Sequence, residues 1–134
     1  MKQFTSKNQK IGEIGESLSC KFLVKHGFSI IERNYTRKWG EIDIVAQKDK
    51  KLYFIEVKTV SCETVDLIEK DPKHMKVIQN VHGKKVSRMK RVIQTYLIEH
   101  NVSHETRWQF DIIAVHLERT LDRAKVTRLR DIIL

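Results

Sequence analysis

Apolar residues recur at helical spacing in two stretches of the chain and at strand spacing between and after them. From Gln9 to His26, residues Ile11, Ile14, Gly15, Leu18 and Phe22 fall on one face of a 3.6-residue repeat, which predicts an amphipathic helix. Gly12 and Gly15 lower its propensity but also permit close packing on a sheet, and Gly27 supplies a C-terminal cap. Phe28 to Tyr35 reads as a strand. Ile42 to Gln47 and Leu52 to Val60 read as a hairpin across the polar turn Lys48-Asp49-Lys50-Lys51. Lys84 to His100 predicts a second amphipathic helix, with Val86, Met89, Val92, Ile93, Tyr96 and Leu97 on its apolar side. Trp108 to Leu117 is apolar on both faces around Ala114, the pattern of an interior strand, and Lys125 to Leu129 predicts a last edge strand. The segment Ser61 to Gly83 has no clear period; Asp71-Pro72 suits either the cap of a short helix or a long loop.

The order α-β-β-β-α-β-β predicts an α/β fold, a central mixed sheet with helices packed on it. The 134 residues carry no internal repeat and no Pro/Gly-rich linker, so one domain spanning 1–134 is expected, long enough to bury a core. A hydrophobic fraction of 40% with 32% charged residues belongs to a globular rather than a disordered chain. No apolar run approaches a membrane span, and the opening MKQFTSKNQK is polar. Cys20 and Cys62 lie far apart without metal-like spacing, as expected of free thiols in the cytoplasm.

Charge changes the picture. Twenty-six Lys and Arg against seventeen Asp and Glu leave +9, with a pI near 9.7. Such a balance favours a polyanionic partner, nucleic acid before an anionic membrane surface. Against this background the hairpin carries Glu41, Asp43, Glu56 and Lys58 at one end of a run rich in Ile, Val and Phe. An even-length turn centred between Asp49 and Lys50 pairs residues whose numbers sum to ninety-nine, so Asp43 should face Glu56, and Glu41 should face Lys58. By period-two alternation all four should share the face of Val45, Leu52 and Phe54. Facing carboxylates repel, and partial burial makes each ion costlier unless a cation pairs with it. A divalent ion resolves the conflict, and Mg²⁺ suits a site of one or two carboxylates that keeps waters and binds phosphate. The competing reading is a surface ion-pair lattice with a Glu41–Lys58 salt bridge. A one-residue change of register would abolish the juxtaposition.

Asp43 followed by a hairpin and Glu56-Val57-Lys58 resembles the PD-(D/E)XK nuclease signature, with Ile42 standing where the motif has proline. Gly12 to Ser17 (GEIGES), Glu32-Arg33-Asn34, Gly40-Glu41-Ile42-Asp43, Phe54 to Thr59, Lys84-Lys85 and Trp108-Gln109-Phe110-Asp111-Ile112 follow one another as in the YraN-like family of predicted endonucleases. That family itself resembles archaeal Holliday-junction resolvases. The chain departs from it in a longer 61–83 segment and in ending Asp131-Ile132-Ile133-Leu134, where relatives often end Asn-Ala-Phe.

The resemblance implies a restriction-endonuclease-like fold and a metal-dependent endonuclease acting on DNA, including branched or damaged forms. It assigns Glu16 as a third acidic group. Asp43, Glu56, the Val57 carbonyl and Glu16 would hold Mg²⁺ or Mn²⁺, and Lys58 would complete the catalytic set. Glu41 and Asp111 would support that set from behind. Arg33, Arg37, Lys38, Lys84, Lys85 and Arg88 are the expected phosphate contacts. A homodimer is compatible with the resolvase likeness; a membrane partner is not expected. The alternative is a nuclease-fold protein that binds nucleic acid without cutting it. His100-x-x-x-His104 has no further ligand at a zinc-like interval and reads as a helix-end pair. Trp39 could stack on a base or pack in the core, and Trp108 is expected in the core.

Overall fold

The computed structural model describes residues 6–70 and 84–134. Helix α1 (Lys7–Lys25) opens on a capping box, in which Ser6 Oγ accepts from the Gln9 N–H at 3.1 Å and Gln9 Oε1 accepts from the Ser6 N–H at 3.3 Å. It ends at His26, and Gly27 follows with φ +89°, a left-handed conformation natural to glycine. The Lys48 ammonium donates to the His26 carbonyl at 2.8 Å, tying the helix end to the hairpin.

Strands β1 (Ser29–Arg37), β2 (Gly40–Lys48), β3 (Lys51–Cys62), β4 (Trp108–Glu118) and β5 (Ala124–Leu129) form one sheet in that spatial order. All neighbours are antiparallel except β3 and β4. The parallel pair requires a crossover, and helix α2 (Lys84–Glu99) lies within it, after a short 3₁₀ helix at Val65–Lys70. The fold is therefore the expected α/β arrangement, consistent with a restriction-endonuclease-like architecture. Asp71-Pro72 and the rest of 71–83 lie outside the described residues.

Each face of the sheet has its own core. On one, Met89, Val92, Ile93 and Tyr96 of α2 pack against Tyr35, Ile42, Val45, Phe54, Phe110 and Ile112. On the other, Leu23 of α1 packs with Phe28, Ile44, Ala46, Ile55, Ile113 and Val115. β4 is buried from Phe110 to Glu118, as its two-sided apolar pattern predicts. Trp108 differs from expectation: at the start of the strand it remains 37% exposed and meets Phe54 edge-on.

Asp111 interrupts that apolar strand and is fully buried. Its carboxylate accepts from Arg128 Nε at 2.9 Å, Gln109 Nε2 at 2.7 Å and the Asp131 N–H at 2.8 Å. Arg128 in turn lies over the Phe28 and Tyr53 rings. One buried ion thus fixes β5 and the C-terminal segment, and the Ile132 N–H continues the attachment to the Phe110 carbonyl at 2.7 Å. Among the described residues no helix is long and apolar enough to cross a membrane.

The two helical glycines do different jobs. A Cβ on Gly15 would lie 1.8 Å from Thr59 Oγ1, so α1 touches β3 at a point where only hydrogen fits. A Cβ on Gly12 would meet nothing within 4 Å. Gly15→Ala should therefore lower stability by about 1–3 kcal/mol through overpacking against a stiff β-branched side chain. Gly12→Ala should raise it by about 0.5–1 kcal/mol through helix propensity. Urea unfolding of both variants distinguishes the two roles.

Candidate active site

The turn Asp49-Lys50 has φ values of +51° and +64°, the signature of a two-residue type I′ hairpin. It fixes the register Lys48↔Lys51, Gln47↔Leu52, Ala46↔Tyr53, Val45↔Phe54 and Ile44↔Ile55. Every pair sums to ninety-nine, as the sequence predicts. The ladder then stops. Beyond Ile44, β2 stays paired to β1 through Tyr35↔Ile42 and Arg37↔Gly40, while β3 runs on with β4 through Val57↔Ile113 to Cys62↔Glu118. The sheet forks between β2 and β3, and in the fork Asp43 Oδ2 accepts from the Val57 N–H at 2.8 Å.

The fork corrects two details of the hairpin arithmetic. Asp43 does not face Glu56 across a ladder, because the ladder ends one pair earlier. Nor does it share a face with Val45 and Phe54. Ile42 packs with them in the α2-side core, whereas Asp43 lines a cleft on the α1 side with Glu16. Once released from β3, the strand turns so that Ile42 is wholly buried and the carboxylate takes the polar side. Burying an Ile side chain is worth about 1.5–3 kcal/mol, which outweighs strict alternation.

The cleft encloses about 880 Å³. The α1 residues Gly12, Glu13 and Glu16 form one wall, and Asp43, Glu41, Val57 and Thr59 line the other side. Burial pushes the Asp43 carboxyl up to about 7; the Val57 N–H opposes the shift, and the charges of Glu16, Glu56 and Glu41 add to it. Three predicted acids are therefore electrostatic neighbours of the fourth. Glu56 Oε1 lies 3.4 Å from the Lys58 ammonium, an ion pair along one strand rather than the Glu41–Lys58 pair across two that the surface-lattice reading requires. Glu16 Oε1 lies 3.4 Å from Arg33, which also lines the cleft.

Among the described residues, no three Asp, Glu, His or Cys side chains are gathered into a ready ligand cage. The donor set suits a cation that keeps most of its water and takes one or two carboxylates, the habit of Mg²⁺. The fit rests on Asp43, whose ionisation is opposed by burial first and then by three like charges. A divalent cation reverses that opposition.

The family model described as Uncharacterised protein family UPF0102 matches residues 15–115. This chain belongs to UPF0102. It is similar to the UPF0102 protein of Caldicellulosiruptor bescii, 29% identical over 92% of this chain and 96% of the relative. It is also similar to UPF0102 proteins of Campylobacter jejuni, at 36% identity over 78% of this chain and 81% of the relative, and of Campylobacter hominis, at 34% over 84% and 89%. The matched span holds Glu16, Glu41, Asp43, Glu56 and Lys58.

The remaining predicted residues of this UPF0102 protein separate into groups. Arg33 joins the acidic cleft. Arg37, Lys38 and Arg88 line a second recess, between the β1–β2 turn and α2, which Glu41 also borders. Arg37 is committed there: its Nε donates to Glu99 Oε1 at 2.9 Å, its Nη2 to Glu99 Oε2, and its guanidinium lies over the Tyr35 ring. Lys84 and Lys85 begin α2, but their side chains lie outside the described residues. Asp111 does not join the cleft. Its carboxylate is satisfied by Gln109, Arg128 and Asp131, and the role it shows is structural. His100 stacks on Tyr96 and lies 3.8 Å from Glu32, away from any zinc arrangement with His104 among the described residues.

Sequence reasoning passed over Thr59 and Asn34, both lining the cleft. Asn34 has φ +55°, a conformation Asn tolerates better than most residues, and Thr59 touches the bare face of Gly15.

The Asp43 shift has a definite sign in stability. Its folded pKa lies above its ordinary 3.8, so its contribution is fully present below about pH 4 and is lost as pH rises through about 7. Asp43→Asn keeps an acceptor for the Val57 N–H without the charge. In chelator at about pH 8 the variant should be more stable than the parent by about 2–4 kcal/mol. The difference should shrink towards about pH 4. Chemical denaturation across that range measures it, and a variant less stable throughout would refute the assigned cause.

Proposed function

We propose that this protein is a metal-dependent endonuclease of the PD-(D/E)XK type that hydrolyses phosphodiester bonds in DNA. The observation that carries the reading is the forked sheet, which sets the raised-pKa carboxyl of Asp43 among Glu16, Glu41 and Glu56, with Lys58 held on Glu56. A site that only gripped a polyanion would gain nothing from acids gathered around Asp43. Those acids are useful if a cation stands between them and the phosphate.

Asp43, Glu56 and the Val57 carbonyl would hold Mg²⁺ or Mn²⁺, with Glu16 contributing directly or through water. The bound ion supplies an acidified water and neutralises charge on the phosphate. The Val57 N–H fixes one Asp43 oxygen at 2.8 Å and leaves the other to ligate. Glu56 positions the Lys58 ammonium, which donates to the attacking water or to the phosphoryl oxygens as charge develops on them. Arg33 neutralises Glu16 within the cleft and can transfer its charge to an incoming phosphate. Glu41 tunes the field at Asp43, and α1, held against β3 at Gly15, keeps Glu16 in place.

Duplex, single-stranded, flap and four-way-junction DNA, together with RNA, should be incubated with Mg²⁺ or Mn²⁺. The expected result is cleavage of DNA that requires metal and vanishes in Asp43→Ala and Glu56→Ala. Lys58→Ala should lose about 10²-fold or more in rate. In parallel, Mn²⁺ should raise the melting temperature of the parent protein at about pH 8 and leave Asp43→Asn unmoved. Cleavage that persists in the Asp43 and Glu56 variants would sink the proposal.

A further inference from the structure

The recess beside the acidic cleft has the opposite charge and a different construction. It is lined by Lys38, Arg88 and Arg91, the committed Arg37, and Trp39. Arg91 lies with its guanidinium 4.6 Å from the centre of the Trp39 ring, and Trp39 is anchored beneath, its Nε1–H donating to Thr95 Oγ1 at 3.0 Å. Lys38, Arg88 and Arg91 are exposed, and no carboxylate among the described residues pairs with any of them. Arg37 shows the contrast, since its charge is spent on Glu99.

Glu41 lines both recesses, one on the α1 side of the sheet and one beside α2, so they meet at the start of β2. A polyanion cannot be held by the acidic cleft alone, where Glu13, Glu16, Glu41 and Asp43 face it with Arg33. The neighbouring recess, which Glu41 also borders, offers the positive charge that the cleft lacks.

We propose that this basic recess is the binding track of a single nucleic-acid strand, whose phosphates are held by Lys38 and Arg88 and whose base stacks on the Arg91–Trp39 platform. The strand then passes Glu41 and delivers its next phosphates to the acidic cleft. Base stacking on an aromatic or guanidinium plane requires an unpaired base and tolerates any sequence, which is why a single strand fits the platform better than a closed duplex. The delivery step rests on the nuclease reading of the cleft, whereas the binding itself does not.

The test is fluorescence anisotropy in chelator, with a fluorescein-labelled single strand of about 16 nucleotides and the same sequence as a blunt duplex. The single strand should bind more tightly. Lys38→Gln/Arg88→Gln, two exposed positions whose loss spares the core, should weaken it at least tenfold. The slope of log affinity against log salt should fall by about 1.4, from about 0.7 per lost phosphate contact. Arg91→Lys keeps the charge but loses the flat stack, so affinity should drop several-fold while the salt slope stays. Equal or tighter duplex binding, an unchanged slope in the double variant, or no binding of either oligonucleotide would each overturn the inference. The Asp43-dependent Mn²⁺ shift judges the metal reading separately, so either can fail alone.

Discussion

The hydrogen bond from the Val57 N–H to Asp43 decides the shape of the forked end of the sheet. Where the β2–β3 ladder stops, each strand still has a partner on its outer side, and the backbone groups facing the fork need new ones. A carboxylate can fill such a place because it accepts several bonds and reaches further than a carbonyl. The bond holds the oxygen acid in a half-buried position that its own charge resists. Its strength and its cost arise from the same geometry. The fork opens a cleft, the cleft admits α1 and Glu16, and the crowding of acids follows.

Around that end the fold is made rigid by polar groups with full sets of partners. Asp111 satisfies three donors inside an apolar strand and thereby fixes β5 and the C-terminal segment. At the other edge, Glu99 joins Arg37 and Tyr35, so the end of β1 is tied to the end of α2. A third clamp, Arg123 on Glu118 and Asp66, fastens the β4–β5 turn to the short 3₁₀ helix. Each uses a charged side chain that composition alone would assign to the polyanion-binding surface. The excess of +9 therefore overstates the charge available to a ligand, and Lys38, Arg88 and Arg91 matter because no described carboxylate claims them.

The two recesses also differ in charge. Acids gathered in a partly buried cleft create demand for a cation; exposed bases next to them create affinity for phosphate. Glu41 borders both. On the proposed reading, neither recess alone would process a polyanion, and the two side by side would.

The elements of this fold were legible in the chain because burial imposes its period directly on the residue types. The helices near Gln9–His26 and Lys84–His100, the hairpin, its turn and its register all followed from apolar spacing and from a four-residue polar break. The ordered motifs likewise pointed to the family now found. Asp43, Glu56 and Lys58 stood out because charges are out of place in an apolar hairpin. Tertiary structure alone decided where the ladder ends, and with it the side on which Asp43 emerges, since that balance sets the burial of Ile42 against strand alternation. It alone showed that Arg37 and Asp111 are held by Glu99 and Arg128. A local pattern records which residues prefer to be buried; which partner neutralises a given charge depends on contacts such as Arg37 with Glu99, sixty-two positions apart, and no short-range period encodes them.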